Sequence, residues 1–359
     1  MKLFLAISLS IVHLSSYALD VVFVNPSIPG TPFWDRVTAV AKAAAEDLSI
    51  NLNIVYGKDN RVYHLEAMQK VIAAQKKPDF VIFMPYDGNA VATFELLESA
   101  NIPFITIERT LQKNEQALIG FPQQRFKYWL GEVFHDNIYA GRLLANELIK
   151  AAKKKQPENK HLVAVGIAGS FSGESSERNT GLKQAIAADK EVSLEQIVPA
   201  IWSRERSRNI IFSLNARFGQ IDVAWAASDG MALGVLDSVK SEYRDLNQSM
   251  QIGGIDWTVE GIKEVEKGGL AVSVGGHFMQ TAWALVKLYD HTQGIKIFNG
   301  GDMGKTYDLE AITHENIHKY KRLASKVDWQ KIDFKRFSRT YTKQAQYDFS
   351  FGQMLTALE

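Results

Sequence analysis

The segment His314-Glu315-Asn316-Ile317-His318 matches a motif that binds zinc in metallopeptidases. On an α-helix its two histidines share one face, so both imidazoles can ligate one zinc ion while the glutamate acts as a base. No third ligand stands at a recognised spacing, however, and Asn316 is polar where such helices carry an apolar residue. We therefore expect no metal at this segment and keep a zinc peptidase only as a remote alternative.

Other catalytic motifs are missing from the sequence. The chain has no cysteine, which excludes disulfides, thiolate metal sites and cysteine nucleophiles. The stretch from Gly169 to Gly173 has Phe171 at the position of a serine nucleophile. Neither a phosphate-binding P-loop nor a dinucleotide glycine fingerprint occurs. The sequence thus predicts a protein that is not an enzyme and has no cofactor.

In the first half of the chain, aromatic and charged residues stand where predicted strands end. A loop at residues 29–32 leads into a helix whose first turn carries Phe33 and Trp34. This pair could stack on the apolar face of a ligand ring, or it could pack beneath the helix. Glu108 and Arg109 end another strand and offer an acceptor beside a fork of five donors, which suits a polyhydroxylated ligand. The alternative is a mutual salt bridge at the surface.

The second half of the chain repeats this arrangement with different residues. Arg178 lies in the first turns of a predicted helix, and Asp229 and Asp256 each follow a predicted strand. We expect Asp229 to cap the helix that it begins, because aspartate is a preferred N-cap. Asp256 has no such structural explanation. Arg178 and Asp256 are therefore the ligand-binding candidates of this half.

Alternating strands and helices position all of these residues. Short β-branched runs alternate with segments of helical period, and this rhythm requires parallel sheets with helices on both faces. The predicted strands are residues 20–25, 51–55, 79–84, 104–107, 161–166, 196–200, 222–226, 251–254, 271–274 and 307–312. The predicted helices are residues 32–48, 62–75, 90–100, 137–155, 174–188, 204–218, 230–241, 259–267, 278–292 and one near 315–324. The fold class is α/β, with two doubly wound parallel-sheet lobes. Because ligands bind beyond the carboxyl ends of such strands, two facing lobes place both sets of loops around one cleft.

At these residues the chain resembles the type I periplasmic binding proteins, above all the sugar-binding group that includes ribose- and galactose-binding proteins. The matching landmarks, in chain order, are Pro32-Phe33-Trp34, Asn101-Ile102-Pro103, Glu108-Arg109, His135-Asp136-Asn137, residues 166–169, Arg178 with Gly181, residues 228–234 and Gly254-Ile255-Asp256. The resemblance implies a protein that captures a small polar ligand, a sugar in the first place, by closing two lobes about a three-segment hinge. The zinc-like motif coincides with a C-terminal phrase that is common in this family.

The resemblance also implies which residues bind the ligand: Phe33, Trp34, Glu108, Arg109, Arg178, Trp202, Ser228, Asp256 and His277. The family often has aspartate where this chain has Glu108 and asparagine where it has Ser228. A glutamine is frequent near the position of His277. These departures leave the identity of the ligand open.

Domain boundaries follow from the same comparison. We expect a signal peptide at residues 1–18 and an N-terminal lobe at 19–134 plus 278–304. A C-terminal lobe at 135–277 plus 305–325 and a C-terminal extension at 326–359 complete the chain. The hinge segments are expected at residues 133–137, 274–278 and 303–307.

The start of the chain and its charge predict where the protein acts. Lys2 precedes an apolar run at residues 3–12, and small residues follow at Ser16 and Ala18, as in a cleaved secretory signal. We therefore expect a periplasmic protein without a lipid anchor.

With 41 Lys+Arg against 40 Asp+Glu, the chain shows no charge excess that would indicate binding to nucleic acid. We also expect no DNA-binding helix-turn-helix, because the predicted strand at Asp20 leaves no room for one before it.

The resemblance leaves the partner open. The expected partner is an inner-membrane ABC permease, and the alternative is a sensor kinase, as for autoinducer receptors. An insertion at residues 110–127 and the aromatic C-terminal extension exceed the compact sugar-binding pattern. These segments either pack on the lobes or form a docking face.

Overall fold

The computed structural model describes residues 18–171, 173–241, 249–298, 305–325 and 327–358, so the predicted signal peptide lies outside the described residues except for Ala18. The first five strands are β1 (Leu19–Asn25), β2 (Ile50–Tyr56), β3 (Phe80–Phe83), β4 (Phe104–Glu108) and β5 (Trp129–Phe134). They pair in parallel in the order β2-β1-β3-β4-β5. All five residues of β4 are buried, as expected for a parallel strand covered on both faces. This sheet is the core of the N-terminal lobe.

Four helices connect these strands: α1 (Pro32–Asp47), α2 (Arg61–Ile72), α3 (Ala90–Ser99) and α4 (Lys113–Ile119). Helix α1 begins at Pro32, where a residue without an N–H loses no helical hydrogen bond. The predicted insertion contains α4, whose Glu115 accepts hydrogen bonds from the N–H groups of Gly88 (3.2 Å) and Ala90 (3.1 Å) at the start of α3. The insertion is therefore tied to the N-terminal lobe.

The C-terminal lobe is built on a second sheet of six strands. They are β6 (Leu162–Ala168), β7 (Val192–Pro199), β8 (Val223–Ala226), β9 (Gln251–Ile255), β10 (Val272–Gly275) and β11 (Glu310–Thr313). The order is β11-β10-β9-β8-β6-β7, and β11 is antiparallel to β10. The helices of this lobe are α5 (Asn137–Lys155), α6 (Gly173–Ala187), α7 (Arg204–Phe218), α8 (Asp229–Lys240) and α9 (Val259–Lys267).

The chain passes between the lobes at the ends of β5 and β10 and again before β11. After β10, a short 3₁₀ helix (His277–Met279) leads into α10 (Gln280–Thr292), which packs on α1 in the N-terminal lobe. Residues 303 and 304 of the third predicted hinge segment lie outside the described residues. Just beyond them, Thr306 donates its N–H to the carbonyl of Phe134 (2.8 Å), so the third passage runs beside the first.

The C-terminal extension packs mainly on the N-terminal lobe. Trp283 of α10 stacks on Phe349 at 4.7 Å and contacts Phe337 at 4.7 Å between ring centroids. Asp290 accepts hydrogen bonds from the side chain of Ser338 (2.5 Å) and the N–H of Arg339 (2.7 Å). These contacts favour the packing interpretation of the extension over a docking face.

The end of the extension reaches the C-terminal lobe. After the short helix α11 (Arg339–Thr342), the chain ends in α12 (Phe351–Ala357). The ring of Phe351 lies 4.5 Å from that of Trp257, which follows β9. Arg322 donates to the carbonyl of Leu358 (2.7 Å). The extension therefore contacts both lobes.

The helix predicted near residues 315–324 is wrong. Two short 3₁₀ helices, Ile317–Lys319 and Lys321–Ala324, follow a turn instead, because the Asn316 side chain binds the N–H of Thr313 (2.8 Å) and the carbonyl of Ala311 (2.9 Å). His314 and His318 consequently do not share an α-helical face, and Glu315 pairs with Lys154 at 2.8 Å. The zinc-site hypothesis loses the helix on which it depends.

Among the described residues, no helix is both long enough and apolar enough to cross a bilayer.

Candidate ligand site between the two lobes

Arg178, in the second turn of α6, occupies the centre of the interface between the lobes. Its Nε donates to Asn137 Oδ1 (2.8 Å) and its Nη1 to the carbonyl of Ala227 (2.9 Å), both in the C-terminal lobe. Its Nη2 crosses to the N-terminal lobe and donates to Glu108 Oε1 (3.2 Å). Only 2% of the Arg178 surface is exposed. The lobes are therefore in contact through a buried ion pair.

Two glycines allow this placement of Arg178. A Cβ on Gly141 of α5 would lie 2.0 Å from the carbonyl oxygen of Arg178, and one on Gly181 of α6 would lie 2.1 Å from that of Ile138. The backbones of α5 and α6 thus approach too closely for any side chain at these two positions. Close packing brings Arg178 beside Asn137, which begins α5.

Glu108 is the partner of Arg178 in the N-terminal lobe. It is the last residue of β4 and is 4% exposed, and its second oxygen accepts a hydrogen bond from Gln280 Nε2 (2.5 Å) at the start of α10. The mutual salt bridge of Glu108 with Arg109 that the sequence left open is not formed, because each residue pairs with a different partner.

Asp256 and His277 complete the polar cluster. His277 Nε2 lies 3.4 Å from Asp256 Oδ1 and 4.0 Å from Glu108 Oε1, and Arg178 Nη1 lies 4.0 Å from Asp256 Oδ1. Asp256 follows β9, and His277 lies on the passage after β10. The hinge itself therefore contributes to the cluster.

Three of the predicted site residues have left-handed backbones. The φ angles of Glu108, Trp202 and Asp256 are 76°, 57° and 138°, in the region that side chains with a Cβ rarely adopt. Glu108 ends a strand, and Trp202 and Asp256 each follow one. Such backbone strain concentrates at ligand sites, where the surrounding structure maintains it.

Aromatic rings line both sides of the cluster. Phe33 packs on the imidazole of His277 with ring centroids 4.5 Å apart, and Trp34 meets Phe33 edge-on at 5.1 Å. From the C-terminal lobe, the guanidinium of Arg178 lies 5.9 Å from the ring of Trp202, which covers Gly169. Trp202 remains 38% exposed.

Burial controls the charge of the cluster. It raises the pKa of Glu108 and that of Asp256 to about 7, although Arg178 lowers both. Burial and the nearby Arg178 also hold the pKa of His277 well below its usual value. The pKa of His135 is held low by burial, then by His277 and Arg178. At neutral pH the imidazoles are therefore uncharged, and the two carboxyl groups share one guanidinium.

Several buried polar atoms of the cluster make no hydrogen bond that satisfies the usual geometry, although His277 Nε2 lies 3.4 Å from Asp256 Oδ1. They are Asn137 Nδ2, both ring nitrogens of His277 and Gln280 Oε1. The set includes a donor on Asn137, an acceptor on Gln280 and one of each on a neutral imidazole. Buried polar groups are normally hydrogen-bonded, so these atoms are suited to a ligand that carries donors and acceptors together.

A metal is a poorer fit to the same place. Among the described residues, Glu108, His135 and His277 form the group whose ligand atoms lie close enough to hold one ion. The Arg178 guanidinium touches the Glu108 carboxylate, however, and would repel a cation bound there. Both nitrogens of His135 also have partners, Asn137 Oδ1 at 3.1 Å and the Tyr307 hydroxyl at 3.4 Å.

Arg109 and Ser228 do not join the cluster as the resemblance implies. Arg109 pairs with Glu174 of the C-terminal lobe, with Nη1 2.6 Å from Oε2. Ser228 caps α8 by accepting the N–H of Met231 (3.3 Å). The expectation that Asp229 caps this helix is therefore wrong. Its carboxylate accepts instead from the N–H of Thr258 (2.8 Å) and the hydroxyl of Ser273 (2.7 Å).

Sequence reasoning missed three members of the cluster, Asn137, His135 and Gln280. The first two belong to a recognised landmark but were assigned only to the start of a helix. Gln280 stands three residues after His277, near the position where the family has a frequent glutamine, and this proximity was the available signal.

The chain belongs to the periplasmic binding protein domain family, whose sequence profile matches residues 21–296. This membership confirms the resemblance found in the sequence. Among curated relatives, the ribose import binding protein RbsB of Escherichia coli (strain K12) is 27% identical over 264 residues, which cover 73% of this chain and 81% of the relative.

Solved structures of the family confirm the predicted fold class. A periplasmic sugar-binding protein from Pseudomonas fluorescens superimposes with a TM-score of 0.80 at 24% identity, covering 94% of this chain and 99% of its own. An ABC transporter periplasmic solute-binding protein from Actinobacillus succinogenes 130z with bound D-allose gives a TM-score of 0.72 at 19% identity. The match covers 85% of this chain and 100% of the other.

Proposed function

We propose that this protein captures a neutral sugar in the cleft between its lobes and delivers it to an ABC permease of the inner membrane. The observation that carries the proposal is the set of buried, unpartnered donors and acceptors around Arg178, on Asn137, His277 and Gln280. A sugar presents hydroxyl groups that donate and accept at once. The names of relatives that bind ribose and D-allose support the same ligand class.

Two carboxyl groups at the site argue for a neutral ligand over an acidic one. Glu108 and Asp256 share the charge of Arg178, so a sugar acid or sugar phosphate would add negative charge to a buried site without a free cation. Phe33, Trp34 and Trp202 are the proposed apolar contacts for the faces of the sugar ring.

Hinge closure is the proposed mechanism. Glu108 and Gln280 come from the N-terminal lobe side of the hinge, whereas Arg178 and Asp256 come from the C-terminal lobe. A sugar can contact all four only when the lobes are together, so its higher affinity for the closed form shifts the equilibrium toward closure. The permease then recognises the closed shape. We also infer that the residues before Leu19 form an export signal that is cleaved.

A thermal-shift panel tests the ligand class. The panel contains D-ribose, L-arabinose, D-allose, D-galactose and xylitol, with amino acids and gluconate as the contrasting set. A sugar present at 100 times its dissociation constant stabilises the protein by about 2.7 kcal/mol, which is a measurable rise in melting temperature.

A matched pair of variants shows whether the shift comes from this site. Arg178→Lys should reduce the shift strongly. Arg204→Lys should preserve it, because Arg204 pairs with Asp237 on the surface of the same lobe (2.7 Å). Stabilisation by amino acids with no response to any sugar would overturn the proposal.

A further inference from the structure

A second buried arginine, Arg109, also bridges the two lobes. Its Nε donates to the carbonyl of Pro85 (2.7 Å) and its Nη2 contacts the same oxygen. Its Nη1 donates to Glu174 Oε2 (2.6 Å) and lies 3.3 Å from Asp87 Oδ1. Pro85 and Asp87 belong to the N-terminal lobe, and Glu174 belongs to the first turn of α6. Arg109 is 2% exposed, so the ion pair with Glu174 is shielded from water.

Asp87 makes its own contact with the C-terminal lobe. Its Oδ2 accepts a hydrogen bond from the N–H of Gly173 (3.0 Å), the first residue of α6. The first N–H groups of a helix lack partners within the helix and carry partial positive charge, so a carboxylate is a favourable cap. Here the cap comes from the opposite lobe.

The contacts of Arg109 differ from those of Arg178 in one respect. Among the described residues, Asp87 and Glu174, whose side chains pair with Arg109, carry no buried polar atom without a hydrogen bond, whereas Asn137, which accepts from Arg178, carries one. The interlobe bonds of this group are made between protein atoms. They therefore need no ligand to complete them.

We propose that Asp87, Arg109, Gly173 and Glu174 form a latch that stabilises the closed lobes independently of the ligand. The latch sets the fraction of closed molecules before any ligand arrives. Apparent affinity scales with the fraction of molecules in the binding-competent state, so the latch strengthens binding of every ligand of the cleft by the same factor. Arg109 and Glu174 are then positioning residues rather than ligand contacts. The effect on affinity rests on the proposed function, whereas the effect on closure does not.

The latch is tested by measuring the distance between the lobes without sugar. The chain has no cysteine, so spin labels can be attached at Glu66→Cys on α2 and Arg208→Cys on α7, two exposed positions on opposite lobes. Pulsed electron paramagnetic resonance then gives the closed and open populations. We expect Glu174→Gln to lower the closed-to-open ratio by about tenfold, because it removes a charge-assisted bond from a buried site.

Asp237→Asn is the matched control, since it breaks the Arg204–Asp237 pair within one lobe and should leave the ratio unchanged. Asp87→Asn provides a second isosteric latch variant on the other lobe and should lower the ratio in the same direction. If both latch variants fold and keep the closed-to-open ratio of the wild-type protein, the proposal is overturned.

Calorimetry with D-ribose and L-arabinose separates this proposal from the proposed function. Glu174→Gln should weaken the binding of both sugars by the same factor. If the variant weakened the binding of only one of the two sugars, Glu174 would be a ligand contact and the latch would be contradicted. If neither sugar binds the wild-type protein, the choice of ligand class fails, but the distance measurement still decides the latch.

Discussion

Arg178 and Arg109 are two buried arginines with the same apparent role and different surroundings. Each is 2% exposed, and each reaches a glutamate of the opposite lobe, Arg178 to Glu108 and Arg109 to Glu174. Around Arg178, neighbouring side chains have polar atoms without protein partners. Among the described residues, the side chains that pair with Arg109, those of Asp87 and Glu174, carry no such buried atom. Burial and an interlobe ion pair are common to both arginines, so our proposal that Arg178 contacts the ligand rests on its unpartnered polar neighbours.

The strongest test of this difference replaces the guanidinium of Arg178 and keeps its charge. Arg178→Lys should weaken sugar binding by about 10- to 100-fold, because an ammonium cannot donate in one plane to Asn137, Ala227 and Glu108. It should also change the order of affinities among D-ribose, L-arabinose and D-allose. Isothermal titration of the three sugars checks both effects. Unchanged affinities in a folded variant would remove Arg178 from the site.

A second test uses the pKa of Glu108. Closure buries this carboxyl and raises its pKa to about 7, whereas in an open, hydrated cleft the pKa would return toward its ordinary value near 4.3. Closure therefore takes up a proton between these values, and the closed form is favoured as the pH falls through 7. The contribution of Glu108 to affinity should rise by about tenfold between pH 8 and pH 6.

Glu108→Gln isolates this contribution, since the amide cannot titrate. The ratio of wild-type to variant affinity for D-ribose should increase toward acidic pH, whatever the other groups contribute. His135, His277 and Asp256 titrate in both proteins and cancel in the ratio to first order. A ratio that stays constant from pH 8 to pH 6 would show that Glu108 does not change its protonation on closure.

The smallest expected effect concerns Ser228, beside the carbonyl of Ala227 that receives Arg178. Because Ser228 caps α8, Ser228→Ala should lower the free energy of unfolding by about 1 kcal/mol and leave sugar affinity unchanged. Chemical denaturation and titration measure the two quantities separately. A loss of affinity without a loss of stability would return Ser228 to the ligand contacts that the resemblance implies.

Periodicity and strand-end position predict much of the fold and part of the candidate site from the sequence. Glu108 and Asp256 could be found because the carboxyl end of a parallel strand is where a ligand meets the sheet. Arg109 and Arg178 could not be distinguished, since residue type predicts hydrogen-bonding capacity and not the partners that use it. Gln280 was not among the candidates, because its hydrogen bond to Glu108 depends on the geometry of the hinge.

The zinc-like motif is the reverse case, in which the sequence suggested a site that the structure does not support. Its spacing predicts a shared face only if the segment is an α-helix, and the side chain of Asn316 forms a local turn in its place. The spacing of His314 and His318 therefore does not indicate a zinc site, because Asn316 stabilises a turn in place of the α-helix that the motif needs.

The packing of Trp283 between residues from the end of the chain has a consequence for the order of folding. The N-terminal lobe begins at β1, yet its core also requires α10 and the extension residues Phe337 and Phe349. A growing chain can assemble most of the C-terminal sheet before these residues exist. The lobe that is started first is therefore completed last. A truncation that removes Phe337 and Phe349 uncovers the ring of Trp283 on the N-terminal lobe.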